Sequence, residues 1–339
     1  MAIKNVYVDS NIASGSNDGT TWANAFYTAA ALETYLEATL AAEDVVWVME
    51  GTITLNASWD FSGRSGTTAN PITFIGVKSG TSAEPPVYAD WADANMGGGA
   101  DDRPVFACAA NEFYAGSNTK FFNITWTSTS SLGARGSYSC LWFNCKFNNS
   151  SGSAGRHGLY SGLYNNVVAC ESQSLNGHAM ASLISSTYFC YFHDSDLTGV
   201  LTANNNHSVV FCIFNNCGSG VNCSDDYKVN VINCTFYNCV TAVSGTTSYG
   251  GVYINNIIDT VTDGFKWTTQ TDLNFLWNNH EGNAVTDMWD LVEETLVAYK
   301  DNAVSSGDPK FVSSAGGNFA IQASSPLRNA GMSMKLGVS

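Results

Sequence analysis

The sequence predicts an all-β protein, a parallel β-helix with one coil per roughly 22 residues. Three observations predict it. First, a strand-like segment recurs along the chain, with anchor residues at Asn123, Cys145, Cys170, Cys190, Cys212, Cys234 and Asn256. The intervals between them are 22, 25, 20, 22, 22 and 22 residues. A unit this short cannot bury a core alone, so neighbouring units must stack. Second, apolar residues alternate around the anchors. Phe143, Val168, Tyr188, Val210, Ile232 and Ile254 stand two before. Phe147, Ser172, Phe192, Phe214, Phe236 and Ile258 stand two after. Spacing of two is the strand period, and it puts those side chains on one face. Third, Asn148-Asn149, Asn215-Asn216, Asn238, Gly199, Gly218 and Gly220 follow the strands, and such residues tolerate left-handed turns.

The elements follow in order. Val6-Tyr-Val-Asp9 reads as an opening strand, and Asn17-Asp18-Gly19 as a turn. Ala23 to Ala42 is the best helical stretch, with Phe26, Leu32, Leu36 and Leu40 on one face. A solenoid must cover the open end of its core, and this helix is the expected N-terminal cap. Val45 to Met49, Gly51 to Leu55 and Pro71 to Gly76 read as strands. Ser79 to Arg103 is rich in Gly, Pro and Asp and reads as a long loop. Regular coils are expected from Phe121 to Gly264, and the 25-residue interval adds three residues around Gly152–His157. Beyond Gly264 the period fades: Leu276 to Asn279 reads as a last irregular rung and Val285 to Tyr299 as a short helix. The expectation is a single β-helix domain over 1–339, with strand and cap in 1–50, coils in 51–264 and irregular closing coils in 265–339.

Composition narrows the function classes. Charged residues are only 13% of the 339, yet the net charge is −15. An acidic surface repels phosphates, so nucleic acid is not an expected partner. Hydrophobic residues make up 45%, too many for disorder. No apolar run of 18 residues occurs, so no membrane span is expected, and the N-terminus lacks the pattern of a secretory signal. Ten cysteines without such a signal point to free thiols made in a reducing compartment. Five of them are anchors and are expected in the core as small hydrophobes. Tight CxxC pairs with histidine partners are absent, so neither a metal nor a cofactor is expected.

The opening Tyr7-Val-Asp…Asp18-Gly19-Thr-Thr-Trp22-Ala-Asn-Ala-Phe26, followed by an alanine-rich helix, resembles the start of pectin-lyase-like right-handed β-helix proteins. The ending Asp308-Pro-Lys-Phe-Val…Ser325-Pro…Asn329-Ala-Gly331 resembles the usual close of that superfamily. The resemblance covers nearly the whole chain and implies a single-stranded, right-handed coil. The superfamily includes polysaccharide lyases and hydrolases, phage tailspikes, adhesins and passive virion proteins, so fold analogy does not choose a function.

Equal offsets in adjacent coils lie about 4.8 Å apart, so the sequence maps neighbours. A glycosidase needs two carboxylates roughly 5–9.5 Å apart. Glu171 falls level with Lys146 and Tyr191. Asp194 falls level with Asn149, Ser174, Asn216 and Asn238, and Asp259 with Tyr237 and Asn215. No carboxylate ladder results. Asp225-Asp226, in a return segment, is the candidate pair for calcium or for acid and base, against a plain solvated turn. Polygalacturonase-like enzymes carry an Asp-Asp pair with a Gly-His-Gly and an Arg-x-Lys, and neither companion is present. Arg64, Arg103, Arg135, Arg156 and Arg328 all fall off the expected regular strands. Arg156-His157 reads as a loop pair or a ligand contact. His178, His193 and His207 show no triad or metal spacing, and Gly97-Gly98-Gly99 lacks the sequel of a phosphate loop.

The outward face is read as apolar: Phe189, Tyr191, Phe211, Ile213 and Ile257 beside the anchors, and Trp142, Val167, Val209, Val231 and Tyr253 three before them. Such a face should be covered. Either the loop Ser79–Arg103 or the C-terminal tail covers it, or another subunit does. Trp142, Val209, Phe211, Ile213, Phe189 and Tyr191 are the candidate interface, with a homotrimer favoured by analogy to viral spikes. The expected function is a non-enzymatic structural or interaction protein of a phage virion, a head decoration or short spike-like appendage. It would be made in the host cytoplasm and would contact other virion proteins or surface glycans. The alternative is a polysaccharide depolymerase or lyase, whose exposed aromatics would stack on sugar rings.

Overall fold

The computed structural model describes residues 3–92, 101–129, 133–151, 156–183, 185–203, 206–223, 228–272, 274–277, 279–283, 285, 287–291, 297–300 and 308–327. The fold is an all-β parallel solenoid with about seven coils at a spacing near 22 residues, extended by less regular coils, and with one α-helix near the N-terminus. The chain forms two compact units, Met1–Ser186 and Thr187–Ser339.

In the first unit each coil contributes strands to three parallel columns. One column runs Asn5–Val8, Val45–Met49, Ile72–Val77, Thr119–Phe122, Leu141–Phe143 and Asn165–Val168. The second runs Thr52–Thr54, Val105–Ala109, Thr125–Ser128, Lys146–Asn149 and Glu171–Ser174. The third runs Trp59–Asp60, Phe113–Ala115, Ala134–Gly136, His157–Ser161 and His178–Ser182. In-register stacking puts like side chains over one another inside. Phe121 lies flat on Trp142 at 4.2 Å, and Trp126 on Phe147 at 5.4 Å.

The α-helix is Ala29–Ala38, shorter than the alanine-rich stretch, because Trp22–Asn24 is a 3-10 turn. It buries Leu32, Tyr35 and Leu36. Arg64 donates from Nε to the Glu37 carbonyl at 2.7 Å and from Nη2 to the Ala38 carbonyl, capping the helix C-terminus with a cation.

In the second unit one column runs His207–Val210, Val229–Ile232, Val252–Ile254, Asn274–Trp277 and Val297–Lys300. The other strands stack from Tyr191–Thr202 through Ile213–Cys223, Thr241–Tyr249 and Asp263–Asp272 to Asp287–Leu291. Phe192, Phe214 and Phe236 form its inner stack, at 5.2 and 4.8 Å. The helix expected over Val285 to Tyr299 is not formed: Asp287–Leu291 and Val297–Lys300 are strands. The coil before them offers a ladder of backbone groups, and pairing with it overrides the local pattern.

The corner before each anchor reverses the expected inner and outer faces. Asn123, Asn144 and Ala169 in the first unit, and Phe189, Phe211, Asn233 and Asn255 in the second, all have φ between 52° and 57°. One left-handed residue turns the chain between two strands, so the in–out alternation restarts there. Residues three before the anchor therefore point inward. Trp142 and Val209, expected on the outer face, are core residues with 0% exposure, and Val167, Val231 and Tyr253 are buried with them at 2% or less. Phe143, expected inside, is exposed, and Val210, Ile232 and Ile254 are half-buried. The first anchor also moves by one: Thr125 pairs with Lys146, so Ile124, not Asn123, is level with Cys145. Arg135 lies on the strand Ala134–Gly136, not off the regular strands.

All ten cysteines are free and buried. Their role at the corners is more specific than packing. Cys145, Cys170, Cys212 and Cys234 each turn Sγ onto the carbonyl three residues before the anchor of the preceding coil: Phe121, Trp142, Thr187 and Val209, at 3.4–3.7 Å. Asn256 and Asn279 aim Nδ2 at the equivalent carbonyls of Val231 and Tyr253, both at 3.0 Å. Cys140, Cys217 and Cys239 repeat the arrangement at other corners, against Gly116, Phe192 and Phe214. A thiol here does the work of a buried amide, donating to the free lone pair of a strand carbonyl beside the corner.

Candidate functional site

The left-handed column is where an exposed feature departs from its own rule. Asparagine is the least strained non-glycine residue in this conformation. The column uses it at Asn123, Asn144, Asn233 and Asn255, and Asn144 Nδ2 donates to Asn123 Oδ1 at 2.8 Å. Two coils of the second unit carry phenylalanine instead. Phe189 and Phe211 have φ of 56°, are 59% and 48% exposed, and stack with centroids 5.1 Å apart and planes 2° from parallel. A bulky residue held in this region costs on the order of 1–3 kcal/mol. Burial does not recover that cost here, which makes the pair a functional candidate.

The other expected interface residues have a cover. Tyr191 and Ile213 are half-buried. Strands Phe311–Ser313 and Asn318–Ile321 of the C-terminal segment pair antiparallel, and Phe319 reaches Tyr191 at 6.5 Å and Tyr237 at 5.5 Å. Phe311 meets Tyr237 edge-on at 6.2 Å. In the first unit the loop after Val77 does the same: Trp91 packs on Phe122 at 5.5 Å, beside Phe143. A groove of about 250 Å³ lies there, lined by Lys78, Tyr88, Trp91, Asn123, Phe143 and Asn144. Both expected covers, loop and tail, are thus used, and among the described residues none is seen to pack over the exposed Phe189–Phe211 pair.

The charged candidates separate into satisfied networks. Lys146 Nζ and Glu171 Oε1 pair at 2.8 Å, as their level positions predict. Arg103 is buried, paired to Asp101 at 2.6 Å and donating to the Asn144 carbonyl at 3.1 Å. Asp194 accepts from Asn216 Nδ2 at 2.7 Å and pairs with His193 Nδ1 at 2.8 Å. Although burial opposes it, these hydrogen bonds hold the Asp194 carboxyl below the usual range. Asn238 continues the ladder to Asn216 Oδ1 at 3.3 Å.

Asp259 is level with Tyr237 and, one coil further, Asn215, as expected. It is buried, its Oδ1 accepts from the Asn283 amide at 2.6 Å, and its pKa is raised, first by burial and then by the charge of Asp308. His157 and His178 stand on adjacent coils with rings 5.2 Å apart. Burial, then the neighbouring His178 and Arg156, pushes His157 down to about 4. Among the described residues no group of three or more His, Cys, Asp or Glu is arranged to hold a metal ion. Asp225, Asp226, Arg328 and Gly97-Gly98-Gly99 lie outside the described residues.

No family model and no curated protein sequence matches the chain. Solved structures do. The chain is similar to pectate lyase Pel9A, with a TM-score of 0.56 at 15% identity, covering 99% of this chain and 93% of that one. It is also similar to ORF18 of Geobacillus virus E2, with a TM-score of 0.47 at 14% identity, covering 83% of this chain and 57% of that one. The Dettilon tailspike protein matches at a TM-score of 0.29 and 10% identity, over 84% of this chain and 68% of that one. At these identities the likeness is one of fold.

Proposed function

We propose that the chain is a non-enzymatic structural or interaction protein of a bacteriophage virion, a head decoration or short spike-like appendage. One observation carries the interaction role: Phe189 and Phe211 are stacked, exposed and held in a left-handed backbone that four other coils give to asparagine. Aromatic faces held rigidly in water suit a second protein surface or a sugar ring. A homo-oligomer, with a trimer favoured, is the partner arrangement this reading takes first, with other virion proteins or surface glycans beyond it. Ten free thiols agree with folding in a reducing cytoplasm, where a virion protein is made before lysis releases it.

The test is the solution mass by light scattering, with a glycan-cleavage screen on the same sample. A stable trimer that cleaves nothing, and that Phe189→Asn/Phe211→Asn reduces to monomer, is the expected result. A monomer that releases reducing or unsaturated sugar ends overturns it. That outcome belongs to the second reading, a polysaccharide depolymerase or lyase, which one observation favours: Asp259 is a buried carboxyl with a raised pKa beside Asp308, the environment of a general acid.

A further inference from the structure

The third column of the first unit carries an outward row whose register is Asp60, Tyr114, Arg135, Tyr160 and Ala181. Arg135 is sandwiched. Its guanidinium carbon lies 4.3 Å from the Tyr114 ring centroid and 5.2 Å from that of Tyr160. Both flat faces of the cation are therefore occupied, and only its edge, which carries the N–H donors, is left to solvent. All three side chains are half-buried.

What the edge faces decides the reading. Acidic residues outnumber basic ones, 29 to 14. Even so, among the described residues Arg135 has no carboxylate partner, and the Tyr114 and Tyr160 hydroxyls have no protein hydrogen bond. The nearest carboxylate in the row, Asp60, is two coils away, on the order of 10 Å at the solenoid repeat, and its Oδ1 accepts from the Ser62 amide at 2.9 Å. The structural role open to an arginine here, stapling coils through an ion pair, is thus not taken. The row presents a fixed, planar cation edge between two phenol hydroxyls. That edge fits the two oxygens of a carboxylate, and the flanking hydroxyls fit neutral hydroxyls one coil to either side.

We propose that Tyr114, Arg135 and Tyr160 form a binding site for a carboxylate-bearing saccharide lying along the coils. Arg135 takes the carboxylate bidentately and the tyrosines take ring hydroxyls of the adjoining sugars. The rings hold the guanidinium in place before binding, so little side-chain freedom is lost on contact. The site is separate from the Phe189–Phe211 pair and does not depend on its role.

The experiment is calorimetric titration with a hyaluronan hexasaccharide, and with the same oligosaccharide after its carboxyl groups are reduced to alcohols. The wild-type protein should bind the acidic form at least about tenfold more tightly. Arg135→Ala should remove that preference with the melting temperature kept. Arg135→Lys, which retains charge but not the flat bidentate edge, should lose most of it. Phe189→Asn/Phe211→Asn should leave it unchanged, which separates this site from the contact proposed above. Equal affinity for the two oligosaccharides, no binding of the acidic form, or an Arg135→Ala protein that binds as wild type would each overturn the assignment.

Discussion

At the residue scale, the corners rest on one left-handed residue followed by one buried donor. Asn256 shows how much a donor carries. Its Oδ1 accepts from the Cys234 amide at 2.9 Å, and its Nδ2 donates to the Val231 carbonyl and to Asn279 Oδ1. Asn256→Ala should leave several buried groups unpaired and cost about 3 kcal/mol or more by urea denaturation. Asn256→Cys, which copies the neighbouring coils, should cost clearly less; equal losses would refute the equivalence of thiol and amide. His207 adds a pH dependence. It is fully buried, shares a hydrogen bond with Thr187 Oγ1 at 3.1 Å, and burial pushes it down to about 3. Its folded pKa lies below its unfolded value near 6.5, so the unfolded chain binds the extra proton between those limits. The stability is fully present above about pH 6.5 and is lost progressively as pH falls toward 3. Denaturation curves across that range should show the loss, and His207→Gln should reduce it, the remainder belonging to His157, which burial also lowers.

At the element scale, the paired C-terminal strands act as a cover for the second unit. Phe319 is buried, and it touches both Tyr191 and Tyr237. Phe319→Ala should therefore cost about 3 kcal/mol at most locally, and hydrogen exchange should quicken in Phe311–Ile321 ahead of the coils. Uniform quickening through the coils instead would mean that the strands are part of the solenoid rather than a cover. The helix Ala29–Ala38 is tied down at one end by Arg64. The sequence marked the helix by its alanines, but not the arginine that caps it 26 residues further on.

At the scale of the whole molecule, the thiols report on the core. All ten are buried, and burial pushes Cys108 and Cys223 up to about 12 and Cys140 up to about 11. An aromatic disulfide reagent at pH 8 should label none of the ten in the native protein within minutes and all ten in guanidinium. Rapid native labelling of several would contradict coils closed along both units. The acidic composition also predicts that any self-association through Phe189 and Phe211 strengthens with added salt, because net charges of −15 on each copy repel and salt screens them.

The solenoid is legible in the sequence alone. Its period appears in the cysteine anchors, and the period is physical: side chains one coil apart must stack, so like residues recur at that spacing. Four of the five Asn-Cys dipeptides, Asn144-Cys145, Asn216-Cys217, Asn233-Cys234 and Asn238-Cys239, fall on corners with the asparagine left-handed and the cysteine inside, whereas Asn222-Cys223 lies within the strand Ile213–Cys223. Which side chains face out depends on the corners, and these form only in the folded chain. Val209 and Phe211 are two apart and read as one strand face, but the turn between them buries the first and exposes the second. Only the tertiary structure brought Arg135 between Tyr114 and Tyr160, because those residues are 21 and 25 apart and meet through the register of three coils. Periodicity fixes what repeats; a site made by what departs from the repeat is visible only once the coils are stacked.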